Sequence, residues 1–167
     1  MSAVRAFAVC LALAVAAPAL SACGFSPLYG EASAVRGLSR VALQTPDTRT
    51  GHLLREALSD KLARDASQAP LYRLNVAVEE RRQPRGLRID DTANRYELVL
   101  VGTYALTDTA TGTVVHQRAE TVRVTYDAAD QPYAGVVARQ DGQERAAGEL
   151  AERIALDLAR VLDQRAR

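Results

Sequence analysis

The stretch that decides the fold class is Tyr96-Glu97-Leu98-Val99-Leu100-Val101-Gly102-Thr103-Tyr104-Ala105-Leu106. Large apolar residues recur at alternate positions from Tyr96 to Leu106, interrupted only by Gly102. Side chains two residues apart lie on the same face of a β-strand, so this period predicts a strand with one buried face. Val99 and Val101 make the other face apolar as well. A strand that is apolar on both faces is typical of a central position in a sheet.

The strands on either side follow the same rule. Residues 72–79 place Tyr72, Leu74, Val76 and Val78 on one face and polar or small residues on the other. Residues 108–112 contain turn-forming residues, and residues 114–126 return as a last strand, which predicts a hairpin. A shorter strand is predicted over residues 38–45, just before a proline.

Two stretches have the apolar period of an amphipathic helix. The first is capped by Thr48 or Thr50 and runs to about Ala66. The second ends the chain, and the pattern leaves open whether it begins at Pro132 or only after residues 141–142. Their apolar stripes have the spacing of one helix face. They comprise Leu53, Leu54, Ala57, Leu58 and Leu62 in the first helix, and Ala147, Leu150, Ala151, Ile154, Leu158, Val161 and Leu162 in the second.

The predicted order of elements is β-α-β-β-β-α. This order favours the α+β class and a two-layer α/β sandwich, with two helices packed on one face of a four-stranded mixed sheet. The first strand and its neighbour through the first helix are expected to be parallel, and the later strands antiparallel. We expect the core at the helix–sheet interface to contain Leu58, Leu98, Leu100, Tyr104 and Ile154.

The beginning of the chain has the features of an export signal. Arg5 supplies a basic residue, residues 6–20 are almost entirely apolar, and small residues precede Cys23. Leu20-Ser21-Ala22-Cys23 resembles a bacterial lipobox, which predicts a lipid anchor on Cys23. The alternative is an ordinary cleavage site beside a chance cysteine. We divide the chain into a lipoprotein signal peptide (residues 1–22), a lipidated tether (residues 23–36) and a single α/β sandwich domain (residues 37–167).

Composition excludes several classes of partner. Cys10 lies in the signal peptide, so the mature chain is expected to have no disulfide. Of the 21 basic residues only Arg5 is removed with the signal peptide, and the 20 acidic residues balance the rest. A mature net charge near zero argues neither for nucleic acid nor for polybasic membrane binding, and we expect no nucleic-acid partner. The expected membrane contact is the lipid on Cys23.

No catalytic residues, metal site or dissociable cofactor are predicted. His52 opens the first helix and is expected to be exposed or capping, whereas His116 is expected to be half-buried in the last strand. The sequence contains no G-x-S-x-G nucleophile motif, no H-E-x-x-H zinc motif and no glycine-rich phosphate-binding loop. Asp90 and Asp91 are adjacent loop acids of the kind that is usually solvated. An enzyme would require a closed pocket that joins His52 or His116 to an acid.

The segment between the second and third predicted strands is unusually basic. Arg81, Arg82, Arg85 and Arg88 lie within eight residues, around Pro84 and Gly86, which predicts a basic loop. The planar guanidinium suits bidentate contacts to phosphate or carboxylate. The alternative is a solvated loop whose arginines pair with neighbouring acids, namely Glu79, Glu80, Asp90 and Asp91.

The start of the tether carries a resemblance to a known family. Cys23-Gly24-Phe25-Ser26-Pro27-Leu28-Tyr29-Gly30 resembles the opening of the mature lipopolysaccharide-assembly lipoproteins of the LptE family, especially its alphaproteobacterial branch. The order of elements is similar as well. Gly24 fits an outer-membrane destination, because an aspartate at this position is the usual signal for inner-membrane retention.

The resemblance implies a function. Proteins of this family partner the β-barrel LptD, lie inside it as a plug and assembly factor, and help to insert lipopolysaccharide into the outer leaflet. It implies a non-enzymatic protein on the periplasmic side of the cell outer membrane, with the four arginines as candidate contacts for lipopolysaccharide or the barrel. The alternative is an auxiliary lipoprotein of an ABC-type lipid transporter or of the barrel-assembly machinery.

Overall fold

The computed structural model describes residues 37–87, 93–128 and 131–166. The predicted signal peptide and tether therefore lie outside the described residues, as do Arg88, Asp90 and Asp91. The elements of the described part are β1 (Val41–Gln44), α1 (Arg49–Leu62), β2 (Tyr72–Leu87), β3 (Ala93–Asp108), β4 (Val114–Asp127) and α2 (Pro132–Ala166).

The sheet has the mixed topology that the sequence predicts. Its strand order is β1-β2-β3-β4. β1 runs parallel to β2, with Val41 opposite Tyr72, and both later pairs are antiparallel. Both helices pack on one face of the sheet, so the predicted two-layer architecture is confirmed. β3 has a neighbour on each side, which confirms the central position inferred from Val99 and Val101.

The prediction of a basic loop was wrong for the three of its arginines that the structure describes. β2 continues to Leu87, and Arg81 and Arg85 pair across the ladder with Val99 and Arg95. β3 begins early enough to supply these partners, so ladder hydrogen bonds outweigh the turn preference of Pro84 and Gly86. β1 pairs only with residues 72–75, which leaves the rest of β2 at the sheet edge, where proline is tolerated.

α1 is defined by its two caps. The hydroxyl of Thr48 accepts a hydrogen bond from the Gly51 N–H at 3.1 Å, so Thr48 is the N-cap. The helix ends at Leu62, before the predicted end, because Ala63 adopts a left-handed conformation with φ of 46°. β1 is also shorter than predicted. Leu38 precedes it and is nevertheless buried.

α2 begins at Pro132, which answers the question that the pattern left open. Its fully buried residues start only at Gly142, and in the preceding turns Ala138 is partly buried against the core. α2 packs closely where Leu150 lies over Gly102 of β3. A Cβ atom on Gly102 would lie 2.8 Å from Leu150 Cδ2, so the missing side chain makes room for the helix.

All five residues expected in the core are buried. Leu58, Leu98, Leu100 and Ile154 are fully inaccessible, and Tyr104 is 1% exposed. The helix–sheet interface is therefore where the alternation and the helical stripes placed it. Within the described residues, no helix combines the length and apolar character that a membrane span requires.

Candidate functional site

One end of the sandwich carries the three arginines of the predicted basic loop that the structure describes, Arg81, Arg82 and Arg85. We call it the hairpin end. It comprises residues 81–87 and 93–97 of the β2–β3 hairpin, residues 126–128 at the end of β4, and residues 132–141 at the start of α2. These segments meet because β2 and β3 extend together beyond the core, and because α2 begins directly after β4 ends.

The arginines on the outer sheet face of this end are paired with acids. Arg81 lies 2.7 Å from Glu79, and Arg85 lies 2.7 Å from Glu97. The pairing alternative raised from the sequence thus holds for Glu79, whereas Glu97 is a partner from the next strand. Such exposed pairs contribute about 0–1 kcal/mol each. An incoming anion can therefore replace the carboxylate at small cost.

Arg82 points to the helix side of the sheet and makes a different contact. Its Cζ lies 4.4 Å from the ring centroid of Tyr96, in a cation–π arrangement. Tyr96 stacks on Tyr126 with the two ring centroids 5.7 Å apart. The Tyr126 hydroxyl is buried and has no hydrogen-bond partner within the described residues. The guanidinium of Arg82 is therefore held over Tyr96, whose own position is supported by Tyr126.

Glu80, next to the hairpin end in β2, accepts hydrogen bonds from both helices. Its carboxylate accepts hydrogen bonds from the Thr50 hydroxyl at 2.5 Å and from Gln143 Nε2 at 2.9 Å. Arg139 of α2 lies 3.5 Å from the same carboxylate. The sequence suggested a neighbouring arginine as its partner. Its actual partners are 30 or more residues away, and no local pattern reveals them.

The first turns of α2 add an apolar patch to the hairpin end. Tyr133, Val136 and Val137 are 81%, 54% and 47% exposed. Their spacing places them on one side of the helix. A cavity of about 610 Å³ lies between this part of α2 and β4, with Arg95, Tyr126 and Ala138 among its lining residues. The hairpin end thus carries arginines on β2 and β3 and exposed apolar side chains on α2.

A second polar cluster lies between the sheet and the second half of α2. Asp157 accepts hydrogen bonds at Oδ2 from the Tyr104 hydroxyl at 2.6 Å and at Oδ1 from Arg118 at 2.8 Å. His116 Nε2 lies 2.6 Å from the same Oδ2. Burial alone would raise the pKa of Asp157, but the hydrogen bonds from Tyr104 and His116 and the charges of His116 and Arg118 lower it.

The sequence analysis placed His116 correctly in a half-buried strand position but missed its acidic partner. Asp157 lies beside the apolar stripe of α2. It meets His116 only because α2 packs on β4. Both carboxylate oxygens are engaged by protein donors, so the contact holds the helix to the sheet. His52 is exposed near the start of α1, as expected. Among the described residues, no cluster of three or more histidine, cysteine or acidic side chains is arranged to hold a metal ion.

The fold is a small α+β sandwich, and its hairpin end carries both arginines and exposed apolar side chains. Comparison with known families makes this more specific. The profile of the LptE family, described as lipopolysaccharide-assembly, matches residues 38–158, and the chain belongs to this family. LptE family proteins are non-enzymatic assembly lipoproteins, which is consistent with an outer-membrane location.

Solved structures are similar over most of the chain. A lipoprotein candidate from Caulobacter crescentus is 46% identical, with a TM-score of 0.70 over 80% of this chain and 98% of that one. The rare lipoprotein B of Shewanella oneidensis is 16% identical, with a TM-score of 0.60 over 76% and 98% of the two chains. A minor lipoprotein of Acinetobacter baumannii is 20% identical, with a TM-score of 0.55 over 73% and 91%. The last two show a shared fold. No curated protein is significantly similar in sequence.

Proposed function

We propose that this protein is an outer-membrane lipoprotein, anchored through Cys23 on the periplasmic side, that partners an LptD-type β-barrel and helps to insert lipopolysaccharide into the outer leaflet. Family membership over residues 38–158 is the observation that carries this proposal. The 46% identity to a lipoprotein candidate over 80% of this chain supports the anchor. The opening of the tether, Cys23-Gly24-Phe25, supports it from the sequence.

The chemistry of the hairpin end suits lipopolysaccharide. This amphiphile carries phosphate groups next to acyl chains, so a contact surface needs cations beside apolar side chains. Arg82 on the helix side of the hairpin and Arg85 on its outer face supply the cations, and Tyr133, Val136 and Val137 of α2 supply the apolar surface. Arg82 lies over the Tyr96 ring, and the Arg85 side chain is 55% exposed beside Glu97, so both guanidinium groups can take an additional anionic partner. We place the lipopolysaccharide contact here.

Replacement of both Arg82 and Arg85 by alanine tests this contact. We expect lipopolysaccharide binding by the purified lipoprotein to weaken about tenfold or more, because each charge-assisted hydrogen bond contributes about 1.5–3 kcal/mol. Binding by the wild type should also fall with added salt. Titration of labelled lipopolysaccharide at two salt concentrations measures both effects.

The double variant Arg64→Ala/Arg160→Ala is the matched control, since it removes the same charge from exposed positions away from the hairpin end. It should bind like the wild type. Equal weakening in both double variants would show that only net charge matters. Unchanged binding in Arg82→Ala/Arg85→Ala would place the contact elsewhere.

Copurification tests the barrel partner separately. A tagged copy of the full lipoprotein, expressed in its own cell envelope, should co-elute with an outer-membrane β-barrel protein. If Arg82→Ala/Arg85→Ala lowers the complex yield while the isolated protein binds lipopolysaccharide normally, the hairpin end docks the barrel and does not bind the lipid. Co-elution with an ABC transporter or with the barrel-assembly machinery would overturn the LptD-type partner.

Replacement of Cys23 by alanine tests the anchor. Each buried methylene group contributes about 0.8 kcal/mol to membrane binding, so several acyl chains hold a lipoprotein firmly. We expect Cys23→Ala to leave the membrane fraction as a soluble periplasmic protein, or to accumulate as an unprocessed precursor. Fractionation and mass spectrometry measure both. An unmodified Cys23 in membrane-bound wild-type protein would contradict the anchor.

A further inference from the structure

The two edges of the sheet differ in how they are covered. β4 is the last strand on one side, and α2 supplies arginines to its backbone. Arg153 Nη1 donates to the Thr121 carbonyl oxygen at 2.9 Å, and Arg145 Nη2 donates to the Thr125 carbonyl oxygen at 3.5 Å. Each arginine also pairs with the acidic residue one helical turn earlier. Side chains of α2 therefore occupy carbonyl acceptors along the edge of β4.

The opposite edge is open beyond β1. The Thr45 carbonyl oxygen accepts a hydrogen bond from Arg55 Nη2 at 3.3 Å, and Pro46 has no N–H to donate. The chain therefore leaves the sheet and turns into α1, so that β1 pairs only with residues 72–75. Where the chain leaves, a cavity of about 480 Å³ lies beside β2, with Pro46 and Val76 in its lining. An extended chain has room to run along β2 from this point.

The open edge of β2 presents its backbone groups in a fixed alternation. The Tyr72 N–H donates to the carbonyl oxygen of Arg40, the residue before β1, at 3.3 Å. Successive strand residues direct their N–H and C=O groups to opposite sides, and the register with β3 is constant from Tyr72 to Arg85. The residues whose backbone groups face the open edge are therefore Val76, Val78, Glu80 and Arg82. Pro84 falls on the same side, where its missing N–H breaks no bond to β3.

The charge beside this edge selects the kind of chain that can add to it. Three of the five residues from 81 to 85 are arginines, and none is acidic. The Arg81 and Arg85 side chains are 62% and 55% exposed on the outer face of β2. Glu79 pairs with Arg81 in solvent, where such pairs are weak, and the Glu80 carboxylate is bound by both helices. Opposite charges on facing strands stabilise a sheet and like charges destabilise it, so an acidic strand fits here.

We infer that residues 76–82 of β2 form a docking edge for an extended, acidic segment of another protein, which adds to the sheet as a further strand. The carbonyl groups of β4 are bonded to arginines of α2. By contrast, no side chain within the described part of the chain bonds to the edge-facing groups of β2. Backbone hydrogen bonds to Val78 and Glu80 supply the affinity, and acidic side chains opposite Arg81 supply the specificity.

Hydrogen exchange with a defined peptide tests this docking edge. The probe is a capped octapeptide of alternating threonine and glutamate, and its counterpart has lysine in place of glutamate. The full lipoprotein is purified in detergent, and its backbone amides are followed by NMR. With the acidic peptide in excess, the amides of Val78, Glu80 and Arg82 should exchange about tenfold or more slowly, because exchange then requires release of the added strand. The lysine peptide should leave their rates unchanged.

A matched pair of variants tests the charge of Arg81. Arg81 and Arg123 lie in one row across the outer sheet face, on either side of Val99, but Arg123 belongs to β4 at the other edge. Arg81→Glu should remove the protection that the acidic peptide gives, whereas Arg123→Glu should keep it.

Four results would overturn the docking edge. Amides of Val78 and Glu80 that exchange as slowly as those of Ala77 and Glu79 in the free protein would show that they do not face an open edge. Unchanged rates with the acidic peptide, or equal protection by both peptides, would rule out an acidic added strand. Equal loss of protection in Arg81→Glu and Arg123→Glu would trace the binding to net charge. These outcomes do not depend on the lipid or the barrel partner proposed above.

Discussion

Replacement of Asp157 by alanine is expected to destabilise the domain by about 2–4 kcal/mol, because it leaves buried donors without an acceptor. Tyr104 is 1% exposed, and its hydroxyl loses the 2.6 Å hydrogen bond to Asp157. His116 and Arg118 lose their acidic partner as well. Urea unfolding monitored by circular dichroism measures the change as a lower midpoint. The charge of Arg118 is half-exposed, which keeps the expected cost below that of a fully buried pair.

Asp141→Ala is the control for this prediction. Asp141 forms an exposed pair with Arg145 at 2.9 Å one turn along the same helix, so its loss should cost less than about 1 kcal/mol. Equal midpoints for the Asp157→Ala and wild-type proteins would mean that the buried cluster contributes nothing to stability.

The same cluster predicts how stability depends on pH. The pKa of Asp157 is lowered in the folded state, so its stabilisation is complete above the unfolded pKa of about 3.9. That stabilisation is lost as the pH falls through the lower folded value. The difference in unfolding free energy between wild type and Asp157→Asn should therefore be large at neutral pH and should shrink in acid. The pKa of Tyr104 is raised by burial and by Asp157, so stability is also lost as the pH rises above about 10.

Leu100→Ala is expected to be the other large effect, with a cost of about 2–5 kcal/mol. Leu100 is fully inaccessible on the helix side of β3, where Val122 lies opposite it in β4. The alanine would leave a cavity at the centre of the helix–sheet interface. Since the typical stability of a domain is about 5–15 kcal/mol, urea unfolding of this variant should show a markedly lower midpoint.

Val99→Ala provides the matched control, because Val99 is the neighbouring residue on the other, partly exposed face of the same strand. Its replacement should cost clearly less than that of Leu100. The opposite order would mean that the strand register is shifted by one residue, which exchanges the two faces.

The sequence predicted those parts of the fold that depend on local periodicity. Alternation from Tyr96 to Leu106 placed β3 and its buried face, and the stripe through Leu150 and Ile154 placed α2. Thr48 was one of two predicted caps and is the one the helix uses. These predictions were correct because the burial or capping of each residue follows from the types of its neighbours in the sequence.

Features that depend on long-range pairing could not be predicted. Pro84 and Gly86 are turn residues, yet they lie in a strand because β3 supplies ladder partners. Asp157 contacts His116, and Glu80 contacts Gln143, although the two members of each pair are far apart in sequence. At the hairpin end, the arginines were found from composition. The stacking of Tyr96 on Tyr126 and the cation–π contact with Tyr96 were not predicted, although alternation placed Tyr96 on the inward face.

Within the described residues, β1 pairs only with the first four residues of β2 and leaves residues 76–87 as a sheet edge. An unpaired edge is a template on which another chain can add a strand. Here the edge contains Pro84, which has no N–H to donate, and the charged side chains of Arg81 and Arg85. A second copy of β2 added at this edge would meet a backbone position without an N–H donor and arginine side chains of the same charge as its own. The arginines and proline of β2 thereby protect the protein against edge-to-edge aggregation.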